Sequence, residues 1–404
     1  MTEPLVVDAD GHTMEPGELW TDRMDHARWG DWIPRKVVED DVYETMYTGG
    51  VVRGGGRELL DQMAAAVGMT AKEFFDLLQS LRVPGGYDPH ARLVDMDADG
   101  IDAAVLYPSQ ALFFGPSDPI AALRDVEFVT DCLRAYNDWI AEYCAAAPSR
   151  LFGMAGVPLQ DVDRAVAEAQ RAVGDLGLQG VFIRPSAYLF DRDGRELPLN
   201  HSQYDPFWAA CQELDAPIAL HPGVHIDTPG ACRKFRLVAE SENMMVTNMA
   251  MDELHGGSGL GQAVGNTVDM VVTLGRLLMG GVCERFPRLR FLFLEAGGGW
   301  IPTQLERMDE QVEAFPLERR WLSMLPSEYF RRQCWAGFEA EEWNLAACAE
   351  FLGPDRVLWA SDYPHPEYHP GIVDELRARL EPLDAAARSR VLGTNAVEAY
   401  GLAL

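Results

Sequence analysis

Eight short apolar runs of strand type recur along this chain, most of them separated by stretches of helical periodicity. No other feature constrains the fold as strongly. The runs are Leu5–Asp10, Ala103–Tyr107, Leu151–Val157, Val181–Arg184, Pro217–His221, Arg290–Glu295, Cys334–Phe338 and Val357–Ser361. Several are apolar throughout, as strands covered on both faces must be. Between two of them, Asp161–Gly174 sets Val162, Ala165, Val166, Ala169 and Val173 along one stripe, the pattern of an amphipathic helix. Further helices are predicted over Ile120–Ala147, Gln203–Leu214, Val268–Arg285, Ile301–Ala314, Ala340–Phe351 and Asp384–Leu392. Eight strands alternating with helices predict an α/β protein of the (β/α)8 TIM barrel type. An open doubly wound sheet competes, but no G-x-G-x-x-G turn follows an early strand.

A bare barrel takes about 250 residues, and this chain has 404, so insertions are expected within a single domain spanning 1–404. The longest, 16–100, lies between strands one and two. In it, Gly49-Gly50 and Gly54-Gly55-Gly56 flank a loop expected to be mobile, and short helices are predicted over Glu58–Ala66 and Thr70–Leu81. The second, 225–265, follows strand five and contains Gly256-Gly257-Ser258-Gly259. Both leave from strand ends, where barrel active sites form, and are expected to make a lid over a sizeable substrate. Neither repeats nor an interdomain linker are evident.

A net charge of −29 opposes a general affinity for nucleic acid or anionic membrane. No basic-then-apolar leader and no membrane-length apolar run occurs, so a cytoplasmic protein is expected. The seven cysteines are odd in number, scattered and without a C-x-x-C pair, which argues for reduced, buried thiols rather than disulfides or structural zinc. A homo-oligomer is left open.

The run Leu5 to Val7 leads into Asp8-Ala9-Asp10-Gly11-His12-Thr13-Met14-Glu15-Pro16. Side chains alternate along a strand, so Asp8, Asp10 and His12 are expected on one face. Carboxylates with an imidazole suit a divalent transition metal better than calcium or magnesium; a strand end followed by a turn is the ordinary alternative. His221 ends strand five, Glu295 ends strand six, Asp362 follows strand eight and His365 stands in its loop. Singly, these read as a core histidine, a helix N-terminal acid and a turn residue. Jointly they converge on the catalytic rim and predict a metal site of Asp10, His12, Glu15, His221, Glu295, Asp362 and His365, with Glu295 and His365 as catalytic candidates. Substrate-binding candidates are Arg184 ending strand four, Tyr107 ending strand two, Trp300, and Arg233-Lys234 in a basic cluster. Asp95, Asp97 and Asp99 look like a metal run, but at helical spacing they read as surface and capping residues.

Five stretches carry a resemblance to the amidohydrolase-related, family 2 metal-dependent barrels over nearly the whole chain: Asp8–Pro16, Leu93–Asp102, Leu220-His221-Pro222-Gly223, Glu284–Leu289 and Ser361-Asp362-Tyr363-Pro364-His365. The resemblance implies decarboxylase or hydrolase chemistry, with metal ligands at Asp10, His12, His221 and Asp362. Three departures stand out. Asp10 replaces the usual first histidine, Glu295 holds the position of a catalytic histidine, and Arg184 stands where a bridging lysine would. Counting Glu15, four carboxylates and three imidazoles exceed the needs of one hydrolytic zinc and suit two metals of the iron or manganese kind. On that count the chain is similar to the barrel-fold nonheme diiron monooxygenases of platensimycin-type diterpenoid biosynthesis. This implies two Fe ions, dioxygen, an external electron donor and hydroxylation of a bulky substrate linked to coenzyme A (CoA). The alternatives are a decarboxylase or hydrolase holding one Zn or Mn, and a degenerate barrel that keeps a structural metal and only binds.

Overall fold

All eight predicted strands form, and they pair in parallel in chain order. The computed structural model describes residues 4–115, 120–223, 261–317, 320–365 and 368–404. The barrel strands are β1 (Val7–Thr13), β5 (Ala103–Pro108), β6 (Leu151–Gly156), β7 (Gly180–Ile183), β10 (Ile218–Leu220), β11 (Phe291–Phe293), β12 (Cys334–Glu339) and β13 (Val357–Ala360). Outside the barrel are β2 (Arg35–Glu39), β3 (Tyr43–Thr48), β4 (Val51–Gly55) and a hairpin of β8 (Leu189–Phe190) with β9 (Glu196–Leu197). The barrel closes just beyond β13, where Asp362 N–H donates to the Asp10 carbonyl (3.1 Å) and His12 N–H to that of Tyr363 (2.6 Å). Seven of the eight strands are buried along their whole length, which is why all of these but β1, with its buried aspartates and histidine, read as apolar runs.

The helix over Ile301–Ala314 forms between the predicted residues. The stripe over Asp161–Gly174 divides into an α-helix, Val162–Ala169, and a π-helical turn, Gln170–Asp175. Pro326–Gln333, Ile372–Arg379 and Asn395–Tyr400 are helices that periodicity did not predict; each is only six to eight residues long, too short to establish a stripe.

The first insertion has more order than its glycines suggested. β2, β3 and β4 form an antiparallel sheet, and the stretch expected as a mobile loop is β4. Gly49 and Gly50, at φ 63° and 80°, make the two-residue turn between β3 and β4, a left-handed geometry that glycine adopts without strain. Gly55 sits where an added Cβ would lie 2.1 Å from the Glu44 carbonyl oxygen. These glycines serve a tight turn and a close backbone approach. Helices Arg57–Ala66, Ala71–Ser80 and Pro89–Asp99 complete the segment. The last carries the three aspartates: Asp97 pairs with Arg150 (2.8 Å), Asp95 accepts from the Tyr363 hydroxyl, and Asp99 accepts from the Tyr368 hydroxyl (2.6 Å) and Gly371 N–H (3.0 Å). Two of them therefore fasten the loop after β13.

Of the second insertion only 261–265 is described, within the helical stretch Gly261–Asn266; Arg233, Lys234 and the Gly256–Gly259 segment lie outside the described residues. Six cysteines, Cys132, Cys144, Cys211, Cys283, Cys334 and Cys348, are buried free thiols, in line with expectation. Among the described residues no helix is long and apolar enough to cross a membrane.

The C-terminal helix reaches beneath the site: the Tyr400 hydroxyl donates to the Ala9 carbonyl (2.7 Å) and meets the Tyr107 hydroxyl at 2.8 Å, all buried. Tyr400→Phe leaves the Tyr107 hydroxyl without this partner, at a cost of about 1–3 kcal/mol. A lowered thermal unfolding midpoint with unchanged metal binding is the expected outcome.

Candidate metal centre

β1 does not run straight through its metal-type residues. Its pairing with β5 shifts by one residue between Asp8 and Gly11, a bulge that re-aims side chains. Asp8 consequently leaves the face that Asp10 and His12 share, contrary to the simple alternation expected. Its buried carboxylate accepts from Ser361 N–H (3.0 Å), Ser361 Oγ (2.6 Å) and Asp10 N–H (3.2 Å). Burial pushes its carboxyl above the usual range, against the Arg92 guanidinium 3.8 Å away. Arg92 also donates to the His12 carbonyl (2.9 Å) and stacks over Tyr363. A Cβ on Gly11 would fall 2.3 Å from Arg92 Nη2 and 2.8 Å from Asp8 Oδ2, so a larger residue here would have to displace the Arg92–Asp8 pair.

Above this base, Asp10, His12, His221 and Glu295 bring one ligand atom each to within 4.8 Å of one another. A second group, His12, Asp362 and His365, meets the same limit. His12 Nδ1 donates to the Pro108 carbonyl and His221 Nδ1 to that of Pro222, both at 2.9 Å. A carbonyl can only accept, so both Nε2 atoms are left with lone pairs in the neutral rings, and they face each other at 3.1 Å. Asp10 Oδ1 lies 3.7 Å from His12 Nε2 and 3.6 Å from His221 Nε2, buried and without a hydrogen-bond partner. Asp362 Oδ1 stands 3.4 Å from His12 Nε2. Burial works against a charge on His221, yet Asp10 and Glu295 hold its imidazole up to about 9. Burial, with His365 and His221 adding to it, holds His12 well below the usual range. An imidazole nitrogen from each of His12 and His221, the orphaned buried carboxylate oxygen of Asp10 and the nearby carboxylates of Glu295 and Asp362 fit a divalent transition metal, with each imidazole oriented from behind by a carbonyl.

Glu295 and Asp362 both adopt left-handed backbone, φ 54° and 52°, a conformation that is uncommon for residues other than glycine. The Glu295 carbonyl accepts from Asn266 (3.1 Å), and Glu295 Oε2 lies 3.7 Å from His221 Nε2. Burial, then Asp362, pushes its carboxyl up to about 8. His365 stacks on His12 at 4.1 Å between ring centres and is held between Asp362 Oδ1 (2.8 Å) and Ser109 Oγ (3.0 Å).

Glu15 is not brought into the cluster. Its carboxylate accepts from the amides of Ser109 (3.2 Å), Gln110 (2.9 Å) and Ala111 (2.8 Å), which tie the start of the insertion to the end of β5. Tyr107 lies beneath the site, its ring 5.5 Å from that of His221. Trp300 donates to Gly297 O (2.8 Å) at the head of its helix. Arg184 is buried beside Phe113, 5.8 Å from the ring centre. Two residues escaped the sequence reading. Arg53 from β4 is buried over the same Phe113 ring at 5.6 Å, and no local pattern marks a hairpin arginine as part of a barrel mouth. Glu339 ends β12; burial, then Asp362, Glu295 and Asp10, push its carboxyl well above the usual range. Its position at a barrel strand's C-terminal end was the available signal.

The chain matches the family described as Amidohydrolase over residues 8–402. Gamma-resorcylate decarboxylase of Rhodococcus jostii is 28% identical over 336 residues, covering 79% of this chain and 92% of that protein. A crystal structure of an amidohydrolase from Mycobacterium avium subsp. paratuberculosis superposes with TM-score 0.74 at 21% identity, covering 99% and 100% of the two chains. Dihydroxybenzoic acid decarboxylase from Polaromonas, solved with bound manganese and an inhibitor, superposes with TM-score 0.61 at 20% identity, covering 100% and 98%. Decarboxylases are lyases, and their place among the relatives overturns the monooxygenase reading. The likeness to diiron monooxygenases, the two irons, the CoA-linked substrate and the external electron donor go with it. The physical error lay in counting carboxylates, because Glu15 is occupied by backbone amides.

Asp8→Asn loses an acceptor to Ser361 and is expected to weaken binding of manganese or zinc by roughly 10–100-fold, the usual effect of disturbing groups behind the ligands. Titration of metal-free protein reads this directly, and circular dichroism checks that the barrel persists.

Proposed function

The chain belongs to the amidohydrolase family, and from that premise we propose that it is a metal-dependent decarboxylase acting on a small aromatic hydroxy acid. The observation that carries the reading is the buried, unpartnered Asp10 Oδ1 facing two imidazole lone pairs, combined with decarboxylases among the relatives. One zinc or manganese ion, held by Asp10, His12, His221 and Asp362, would supply Lewis acidity toward carboxylate and hydroxyl oxygens of the substrate. Arg184 and Arg53, on the same Phe113 ring, are suited to hold the acid's negative charge. Glu295 is the proton donor in this proposal. As its proton reaches the ring carbon that bears the carboxylate, a C–H bond forms; the C–C bond then breaks, its electron pair returns to the ring and CO2 leaves. The glutamate regains its proton from water. The exchange is redox-neutral and needs neither dioxygen nor a reductant. His365 keeps Asp362 oriented through their 2.8 Å contact.

Purified protein reloaded with manganese or zinc is expected to release CO2 from 2,6-dihydroxybenzoate or a related hydroxybenzoate, and chelation is expected to abolish the activity. Glu295→Gln keeps the shape but removes the proton and is expected to lower kcat by about 10²–10⁴-fold, the range for a general acid. A Glu295→Gln enzyme with native kcat would sink the assignment.

A further inference from the structure

A cavity of about 380 Å³ lies between the first insertion and the barrel mouth, inside the ~300–1,000 Å³ range of small-molecule sites. A narrower hollow of about 120 Å³ lies beside it beneath the insertion sheet, and the two share Glu44, Met46, Leu78 and Arg82 as walls. Trp20, Met46, Leu78, Leu81 and Tyr87 give the larger cavity an apolar lining, and Leu60 and Phe74 extend it into the smaller one. Of the charged groups, Glu44 receives both Lys36 (3.7 Å) and Arg82, Arg35 pairs with Asp31 (3.3 Å) and Glu15 is held by backbone amides; Glu18 also lines the cavity. What the cavity offers a ligand is therefore chiefly apolar surface.

It also borders the residues that flank the metal centre. Met14, Gln110 and Pro364 form its floor. The Met14 sulfur lies 3.3 Å from Ser109 Oγ, which is itself 3.0 Å from His365 Nε2. Met14 is 43% exposed, and methionine is the most adaptable of apolar side chains. A group leaving the centre past His365 would meet the Ser109 hydroxyl and then the unbranched Met14 side chain.

We propose that this cavity is a second subsite, taking an apolar arm, an alkyl chain or a second ring, carried by the aromatic acid. The inference rests on the decarboxylase reading for the reaction and adds the substrate class. Burying one methylene tightens binding by roughly threefold to fourfold, so affinity should climb with chain length until the slot is full.

The test uses manganese-loaded full-length protein and a series of 2,4-dihydroxybenzoates bearing methyl, propyl or pentyl groups at carbon 6. Calorimetry reads binding and CO2 release reads turnover. Kd and KM are expected to fall together by at least tenfold from methyl to pentyl, with kcat changing less than threefold. Leu78→Trp, which fills the slot, is expected to shrink the pentyl-to-methyl ratio below twofold; Met46→Trp serves the same purpose if the first variant does not fold. A native ratio near one, or a ratio that survives in a folded filling variant, overturns the proposal. The two readings fail separately. CO2 release from the methyl compound without a chain-length gain removes the subsite and leaves the decarboxylase. A chain-length gain in binding that the filling variant abolishes, without CO2 from any member, removes the decarboxylase and leaves the subsite.

Discussion

The buried carboxylate of Asp8 joins the first barrel strand to the last. Through Ser361 N–H and Oγ it fixes where the chain leaves β13, and through the Asp10 amide it fixes the bulge in β1. Asp10, His12 and Asp362 inherit their positions from these bonds. The burial that raises the energy of an ionised Asp8 also excludes water that would compete with its donors, and Arg92 beside it offsets part of the desolvation. The closure of the fold and the convergence of the metal-type residues are thus one event.

Two strand ends are held against their backbone preference. A left-handed conformation at a residue other than glycine costs about 1–3 kcal/mol and persists only where its surroundings over-determine it. Asp362 is bracketed by its own amide on Asp10 O and by the Asp362–His365 contact. At Glu295 the bracket is Asn266 on its carbonyl. Both residues face the imidazoles, so the strain lies where side-chain direction matters to the chemistry.

The barrel was legible because parallel strands buried on both faces leave long apolar runs, from Ala103–Tyr107 to Val357–Ser361. Strand-end positions also led to Asp10, His12, His221, Glu295, Asp362 and His365, which the fold draws together. The partners of a carboxylate were not legible. Asp8, Asp10 and Glu15 look alike in sequence, yet one binds a serine, one has a buried oxygen without a hydrogen bond and one binds three amides. A one-residue bulge and an arginine delivered by a hairpin depend on long-range pairing and leave no local periodicity. The step from a carboxylate count to oxygen chemistry failed because backbone N–H groups compete with metals for the same oxygens.

The helix Pro89–Asp99 ends the first insertion and holds the site from below, through Arg92 on the His12 carbonyl, Asp95 on Tyr363 and Asp99 on Tyr368 and Gly371. Of the residues that line the neighbouring cavity, all but Gln110 and Pro364 lie upstream of that clamp. Mutations and length changes in the segment from β2 to Ala71–Ser80 can redraw the space available to a ligand while the metal-type residues stay registered by contacts outside it. The architecture separates inheritance of reaction from inheritance of selectivity, so paralogues could diverge in what they accept without relearning how to act on it.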